Sequence, residues 1–237
     1  MFPSKIIVAL DYDNVEECEK FISQLQPKSC GLKIGKTLFT QVGPQWVQQW
    51  IQQGFDVFLD LKFHDIPQQV YGAVKAAAEL GVWMVNVHAS GGTKMLQAAK
   101  QAVLDAKVSR KPLLIGVTIL TSLNEQDIAQ IGFKGNVNES VMNLAQLCFA
   151  AGLDGVVCSA QEASMLKMNL GDAFLAVTPG IRLPEGNTHD QQRIMTPQAA
   201  VEAGSDYLVI GRAITHAQEP MKVIESINEQ LTEIVKA

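Results

Sequence analysis

The chain has 237 residues, of which 47% are hydrophobic, and its 19 Lys and Arg against 24 Asp and Glu leave a formal net charge of −5. That is enough apolar material for one sizeable core, and it leaves no basic footprint for nucleic acid or an anionic membrane surface. No apolar run approaches the length needed to cross a bilayer.

The first five residues, Met1 to Lys5, lack the basic region and long apolar run of an export signal, so a cytoplasmic protein is expected. Residues 5–10 form a continuous apolar run of the kind buried on both faces of a parallel sheet, and the run ends at Asp11. Asn14 is placed to cap a helix reaching about Leu25. Residues 31–35 read as a second strand carrying one lysine, Lys33, and the next helix passes through Trp46 and Trp50 to stop at Gly54. Cys18, Cys30, Cys148 and Cys158 lack metal-ligand spacing and read as reduced, buried thiols.

The third strand is the unusual one. Its apolar run, residues 55–59, ends in Asp60-Leu61-Lys62-Phe63-His64-Asp65-Ile66-Pro67. Strand alternation puts Asp60 and Lys62 on one side and Leu61 and Phe63 on the other. Pro67 suits the first turn of a helix, which places Asp65 in the loop between strand and helix. A helix follows over residues 70–80 and ends at Gly81; residues 83–88 form strand four, and Gly91-Gly92 introduce another helix.

Residues 113–120 read as strand five, closed by Thr121 and Ser122, with a polar connection over 124–138 and a helix over 141–151. Residues 155–158 are strand six, 161–168 a helix, and 174–178 strand seven, which runs into Pro179-Gly180-Ile181-Arg182. Residues 183–195 form a long irregular segment of the kind that carries function. Thr196-Pro197 starts a helix, 206–210 is strand eight, and Gly211-Arg212 opens the last helical region.

Eight β/α units without a composition break point to a single-domain (β/α)₈ barrel over residues 1–237, rather than a flavodoxin-like open sheet with an appendage. Asp11, Lys33, Asp60, Lys62, Thr121, Arg182 and Arg212 all fall at or near C-terminal strand ends, which a barrel gathers into one ring around a pocket. Lys33, Asp60, Lys62 and Asp65 would hold one another ionised there. The plain alternative is a salt-bridged rim, but three charged side chains on core-facing strands need a reason. Lysine is a poor metal ligand, and no second His or Glu has suitable spacing, so no metal site is expected. After strands seven and eight, Pro179-Gly180-Ile181-Arg182, Gln191 of the long loop and Ile210-Gly211-Arg212 suit a phosphate, with Gly211 admitting close backbone approach and Arg212 donating in bidentate fashion. Asn86 and His88 on strand four read either as satisfied core residues or as site groups, and His64 as positional.

Asp-Leu-Lys-Phe-His-Asp-Ile-Pro at 60–67, Ala-Leu-Asp at 9–11, Leu-Lys-Ile-Gly at 32–35, Thr-Pro-Gly-Ile-Arg at 178–182 and Ile-Gly-Arg at 210–212 together closely resemble the orotidine 5′-phosphate decarboxylases of the bacterial type. The resemblance implies a dimeric (β/α)₈ barrel that decarboxylates orotidine 5′-monophosphate to UMP in pyrimidine biosynthesis, without cofactor or metal. By motif it implies Lys62 as proton donor to C6, with Asp60, Lys33 and Asp65 completing the charged network and Asp65 entering the neighbouring subunit's site. Asp11 and Lys33 would hold the ribose, Thr121 and Ser122 the pyrimidine, and Arg182, Gln191, Gly211 and Arg212 the phosphate. The chain departs from the family's usual Ile-Pro-Asn-Thr with Gln68-Gln69, where the longer Gln69 amide takes the place of a cross-subunit hydroxyl. Magnesium-dependent sugar-phosphate decarboxylases and aldolases also carry Asp-x-Lys-x-x-Asp, but Ile-Pro after Asp65 and Pro-Gly-Ile-Arg favour the nucleotide enzyme. A non-catalytic nucleotide-phosphate-binding barrel is a third reading, against which the retained Lys62 stands.

Overall fold

Parallel strands cannot be joined by tight hairpins, so each apolar run here needs a crossover, and each crossover helix buries one face on the sheet. A computed structural model describes residues 4–183 and 195–236. Strands β1 (Ile6–Leu10), β2 (Gly31–Gly35), β3 (Val57–Phe63), β4 (Met84–His88), β5 (Leu113–Val117), β6 (Gly155–Val157), β7 (Leu175–Thr178) and β8 (Tyr207–Ile210) pair in chain order. The ring closes through β8 and β1, with Ile6 opposite Leu208 and Val8 opposite Ile210. The result is a (β/α)₈ barrel, and that closure excludes the open flavodoxin-like sheet.

Helices α1 (Val15–Ile22), α2 (Lys36–Gln52), α3 (Pro67–Glu79), α4 (Gly92–Asp105), α5 (Glu125–Gln130), α6 (Val137–Ala150), α7 (Ala160–Leu170), α8 (Pro197–Glu202), α9 (Arg212–Thr215) and α10 (Pro220–Lys236) occupy the connections. Strand alternation divides the apolar residues into two compartments. Ile7, Ala9, Phe58, Met84, Ile115, Val177 and Val209 fill the barrel interior. Ile6, Val8, Leu10, Leu32, Ile34, Val85 and Val87 face outward onto the helices, where Trp50 and Leu96 are buried against them. No helix among the described residues is long and apolar enough to cross a membrane.

Two elements differ from the sequence reading. Strand β5 stops at Val117, because Thr118 turns both its backbone N–H and its hydroxyl onto the carbonyl of Val157 and ends the ladder. The connection over 124–138 contains α5 and runs into the start of α6, each opened by an asparagine in a reciprocal capping box, Asn124 with Asp127 and Asn136 with Glu139. Only Ile128 of α5 is buried, so that helix carries no apolar stripe for periodicity to reveal.

The barrel backbones approach closely where β6 meets β7. A Cβ built on Gly155 would lie 2.2 Å from the carbonyl oxygen of Leu175, a backbone atom that cannot swing aside. Gly155→Ala is therefore expected to lower the unfolding free energy by about 1–3 kcal/mol, the range for overpacking a close-packed interior. Urea denaturation checks this, and an unchanged midpoint would show that the two strands separate freely.

Candidate active site

The C-terminal strand ends surround a cavity of ≈ 820 Å³ with a floor that includes Ala9, Phe58, Val117, Val157 and Val209. Asp11, Lys33, Asp60 and Lys62 line it, as do Thr121, Ser122, Arg182, Gly211 and Arg212. Charge is thus collected above an apolar base, where low polarizability strengthens its effect.

How β3 presents two charges departs from simple alternation. Its ladder with β4 is regular to Leu59 opposite Val85 and resumes at Phe63 opposite Val87. Residues 60, 61 and 62 therefore stand against the single residue Asn86, which makes a bulge. Lys62 adopts φ 51°, a left-handed conformation that costs a side-chain-bearing residue about 1–2 kcal/mol. Its backbone N–H donates to Oδ1 of Asn86 at 2.8 Å, a side-chain acceptor in place of a strand carbonyl. Asp60 and Lys62 do share the cavity side, but by this bulge and not by a straight strand.

The charged groups form one alternating chain. Nζ of Lys33 lies 3.2 Å from Oδ1 of Asp11 and 3.3 Å from Oδ2 of Asp60. Nζ of Lys62 donates to Oδ1 of Asp60 at 2.7 Å, and Nδ2 of Asn86 donates to the same oxygen at 2.7 Å. The side chains of Lys33 and Asp60 are only 11% and 10% exposed, so their charges are held by each other and not by water. Burial alone would push the Asp60 carboxyl up, but Lys33 and Lys62 outweigh it and hold the group below its usual range. Burial likewise pulls the Lys33 ammonium down, and Asp60 and Asp11 overcome it, leaving the amine raised. Across neutral pH the buried carboxylate and ammonium are both ionised.

Not every residue singled out from the sequence arrives here. Asp65 and Gln69 are exposed and lie outside the cavity of their own chain; Oδ1 of Asp65 accepts the N–H of Ile66 at 2.6 Å. The expected cluster of Lys33, Asp60, Lys62 and Asp65 is thus not formed within one chain, because Asp65 lies beyond β3 and folds onto its own backbone. Asp11 takes the second carboxylate position. Gln191 lies outside the described residues, as does most of the long segment, but its two ends meet at the rim: Arg182 N–H donates to the carbonyl of Met195 at 3.0 Å. Nη1 of Arg182 donates to the carbonyl of Ile181, and Thr121 is buried while Ser122 is exposed beside it.

Three groups were missed or left ambiguous. Asn86 is fully buried and holds both Asp60 and Lys62; its one sequence signal is an amide in an otherwise apolar strand interior. Tyr12 lines the cavity directly after Asp11, and burial, then Cys18 and Glu17, push its phenol up to about 12, so it stays a hydrogen-bond donor. His216, one turn past Arg212, lines the same cavity. Among the described residues no group of three or more His, Cys, Asp or Glu is placed to hold a metal ion.

With the geometry in place, comparison with known proteins is specific. Residues 4–227 match the model of the Orotidine 5′-phosphate decarboxylase / HUMPS family. A protein of Aliivibrio fischeri named orotidine 5′-phosphate decarboxylase is 55% identical over 235 residues, covering 99% of this chain and 100% of its own. One of the same name from Tolumonas auensis is 56% identical over 232 residues, covering 98% and 100%. The crystal structure of orotidine 5′-phosphate decarboxylase from Lactobacillus acidophilus superposes with a TM-score of 0.86 at 39% identity, covering 95% of this chain and 97% of that one.

The site also makes a pH prediction. His88 sits at the end of β4 with its ring 5.4 Å from that of His64. Burial, then His64, Lys36 and Lys62, lower its pKa from 6.5 to about 4. A depressed pKa means the unfolded chain binds this proton first, so the contribution to stability is complete above pH 6.5 and is lost as pH falls towards 4. The melting temperature should decline across that window, and His88→Gln should flatten the decline; an equally steep decline in the variant would remove His88 as its cause.

Proposed function

The chain belongs to the Orotidine 5′-phosphate decarboxylase / HUMPS family, and from that membership we propose how its residues divide the work. It converts orotidine 5′-monophosphate to UMP in pyrimidine biosynthesis, the activity named for relatives that match it over nearly their whole length. The single observation that carries the reading of the site is the ammonium of Lys62, held 2.7 Å from Asp60 at the mouth of a cavity with an apolar floor.

When the bond from C6 to the carboxylate carbon breaks, the electron pair stays on C6, in an orbital the ring delocalises poorly. Stabilisation then has to come from a fixed charge at that carbon, present before the bond breaks so that no reorganisation is needed. Lys62 supplies that charge, then passes its proton to C6 and regains one from solvent. Asp60 and Lys33 hold the ammonium in place, and Asp11 with Lys33 binds the ribose hydroxyls. Thr121 and Ser122 face the pyrimidine. Arg182, Gly211, Arg212 and Gln191 take the phosphate, whose binding energy orients the distant reacting carbon. This reading asks for no cofactor or metal, because Lys62 supplies both the charge and the proton, and both Asp60 oxygens are already engaged by Lys33, Lys62 and Asn86.

The active form is a homodimer in which Asp65 enters the partner's site, with Gln69 beside it. Support comes from the exposure of this segment at the rim, where Ile66 is 64% exposed although apolar. Pairing with a second copy would cover that side chain.

Lys62→Ala is expected to lower kcat by at least about 10⁴-fold while the fold persists, since both the charge and the proton are lost. Absorbance-monitored consumption of orotidine 5′-monophosphate checks it, and wild-type-like kcat would rule out the proton-donor role. Arg212→Ala should lower kcat/KM about 10- to 100-fold, the value of one charge-assisted hydrogen bond; an unchanged value would remove Arg212 from the phosphate site. Activity should be the same with and without a chelator. Mixing Lys62→Ala with Asp65→Ala protomers should restore turnover through mixed dimers that each contain one intact site, and no recovery would place Asp65 outside the partner's site.

A further inference from the structure

A backbone strained at the residue that bears the reacting amine needs something to hold it, and the Lys62 backbone N–H donates to a side chain, Asn86 Oδ1 at 2.8 Å. Through Nδ2 the same amide also donates to Oδ1 of Asp60, the very oxygen that receives the Lys62 ammonium. Asn86 has no exposed surface, and it stands alone on β4 against the three residues of the bulge. We infer that Asn86 is a positioning residue: its amide fixes the left-handed turn of β3 and the rotamer of Asp60 together, and so sets where the Lys62 ammonium stands.

The chemistry of the position is restrictive. The turn needs an acceptor, the carboxylate needs a donor, and the two must be offered from one short side chain. An amide has both in one plane. Leucine has neither; aspartate has the acceptor and gains the donor only when protonated. The groups facing position 86 are Asp60 and Lys62 from β3, Lys33 behind Asp60 on β2 with Asp11 beyond it, and His88 further along β4, whose pKa feels both Asp60 and Lys62. From β5 the register partner of Asn86 is the apolar Ile115. A second carboxyl at this place would meet the negative Asp60 in a dry setting and hold its proton to a higher pH than usual.

The inference rests on the assignment of Lys62 above, so wild-type turnover is measured alongside the variants. If wild type fails to consume orotidine 5′-monophosphate, that assignment falls; if wild type is active, the variants decide the role of Asn86 alone. Asn86→Leu is expected to lower kcat on the order of 100-fold, the effect of displacing a reacting group by about 1 Å. KM and the affinity for UMP should change less than about threefold, because the proposed phosphate and ribose contacts lie on other elements. Asn86→Asp should be active at low pH, where the introduced carboxyl is protonated and donates to Asp60 as the amide did, and should lose kcat as pH rises, a limb absent from wild type. A merely space-filling role would not produce that limb. The inference is overturned if Asn86→Leu keeps kcat within about threefold of wild type, or if it loses kcat and UMP binding in equal measure. Should Asn86→Leu fail to fold, the pH profile of Asn86→Asp decides, and a profile parallel to wild type overturns it.

Discussion

The carboxylate of Asp60 is the point on which the site depends. It is almost wholly withdrawn from water, yet it carries three partners: Lys33 on one oxygen and Lys62 with Asn86 on the other. Removing any one would leave a buried charge less than fully compensated, which is costly in a low-dielectric interior. The alternation from Asp11 through Lys33 and Asp60 to Lys62 sets each charge beside an opposite one, and it holds the buried Lys33 ammonium and Asp60 carboxylate ionised where little water reaches them. Charge fixed in advance is what a carbanion-forming step requires.

Regularity and chemistry are separated along the barrel. Seven of the eight neighbouring strand pairs keep an unbroken register, and the interior below the site is packed with Phe58, Met84, Ile115 and Val177. The exception is β3 with β4, and it falls where Asp60 and Lys62 emerge. Strain of this kind persists when the surroundings over-determine it, here through a rigid ring of strands and a buried amide. The bulge is how one strand turns two opposite charges towards a single cavity.

Much of this was legible from residue order. Apolar runs with intervening helical periodicity give the (β/α)₈ barrel, and charges at strand ends gather into one mouth because a barrel closes. Short-range pattern could not reveal the bulge: the alternation of Asp60 and Lys62 reads the same in a straight strand, and the left-handed turn at Lys62 is hydrogen-bonded to Asn86, on the next strand of the barrel. Asn86 was ambiguous for the same reason, since its two partners exist only once β3 and β4 are side by side. Helix α5 was missed because it buries almost nothing, although its capping box is local and could have been read. The position of Asp65 outside its own cavity follows from the loop after β3, which spacing alone does not orient.

Titration of Asp60, read from the carbon-13 resonance of its selectively labelled carboxyl, tests the central claim most directly. A carboxylate locked between two ammonium groups should show no inflection at or above 3.8, its ordinary value, as pH is lowered from neutrality, and should titrate only below it. An inflection above 3.8 would mean that burial outweighs the lysines, and that the charge field ascribed to Lys62 lacks the tightly paired carboxylate on which it rests.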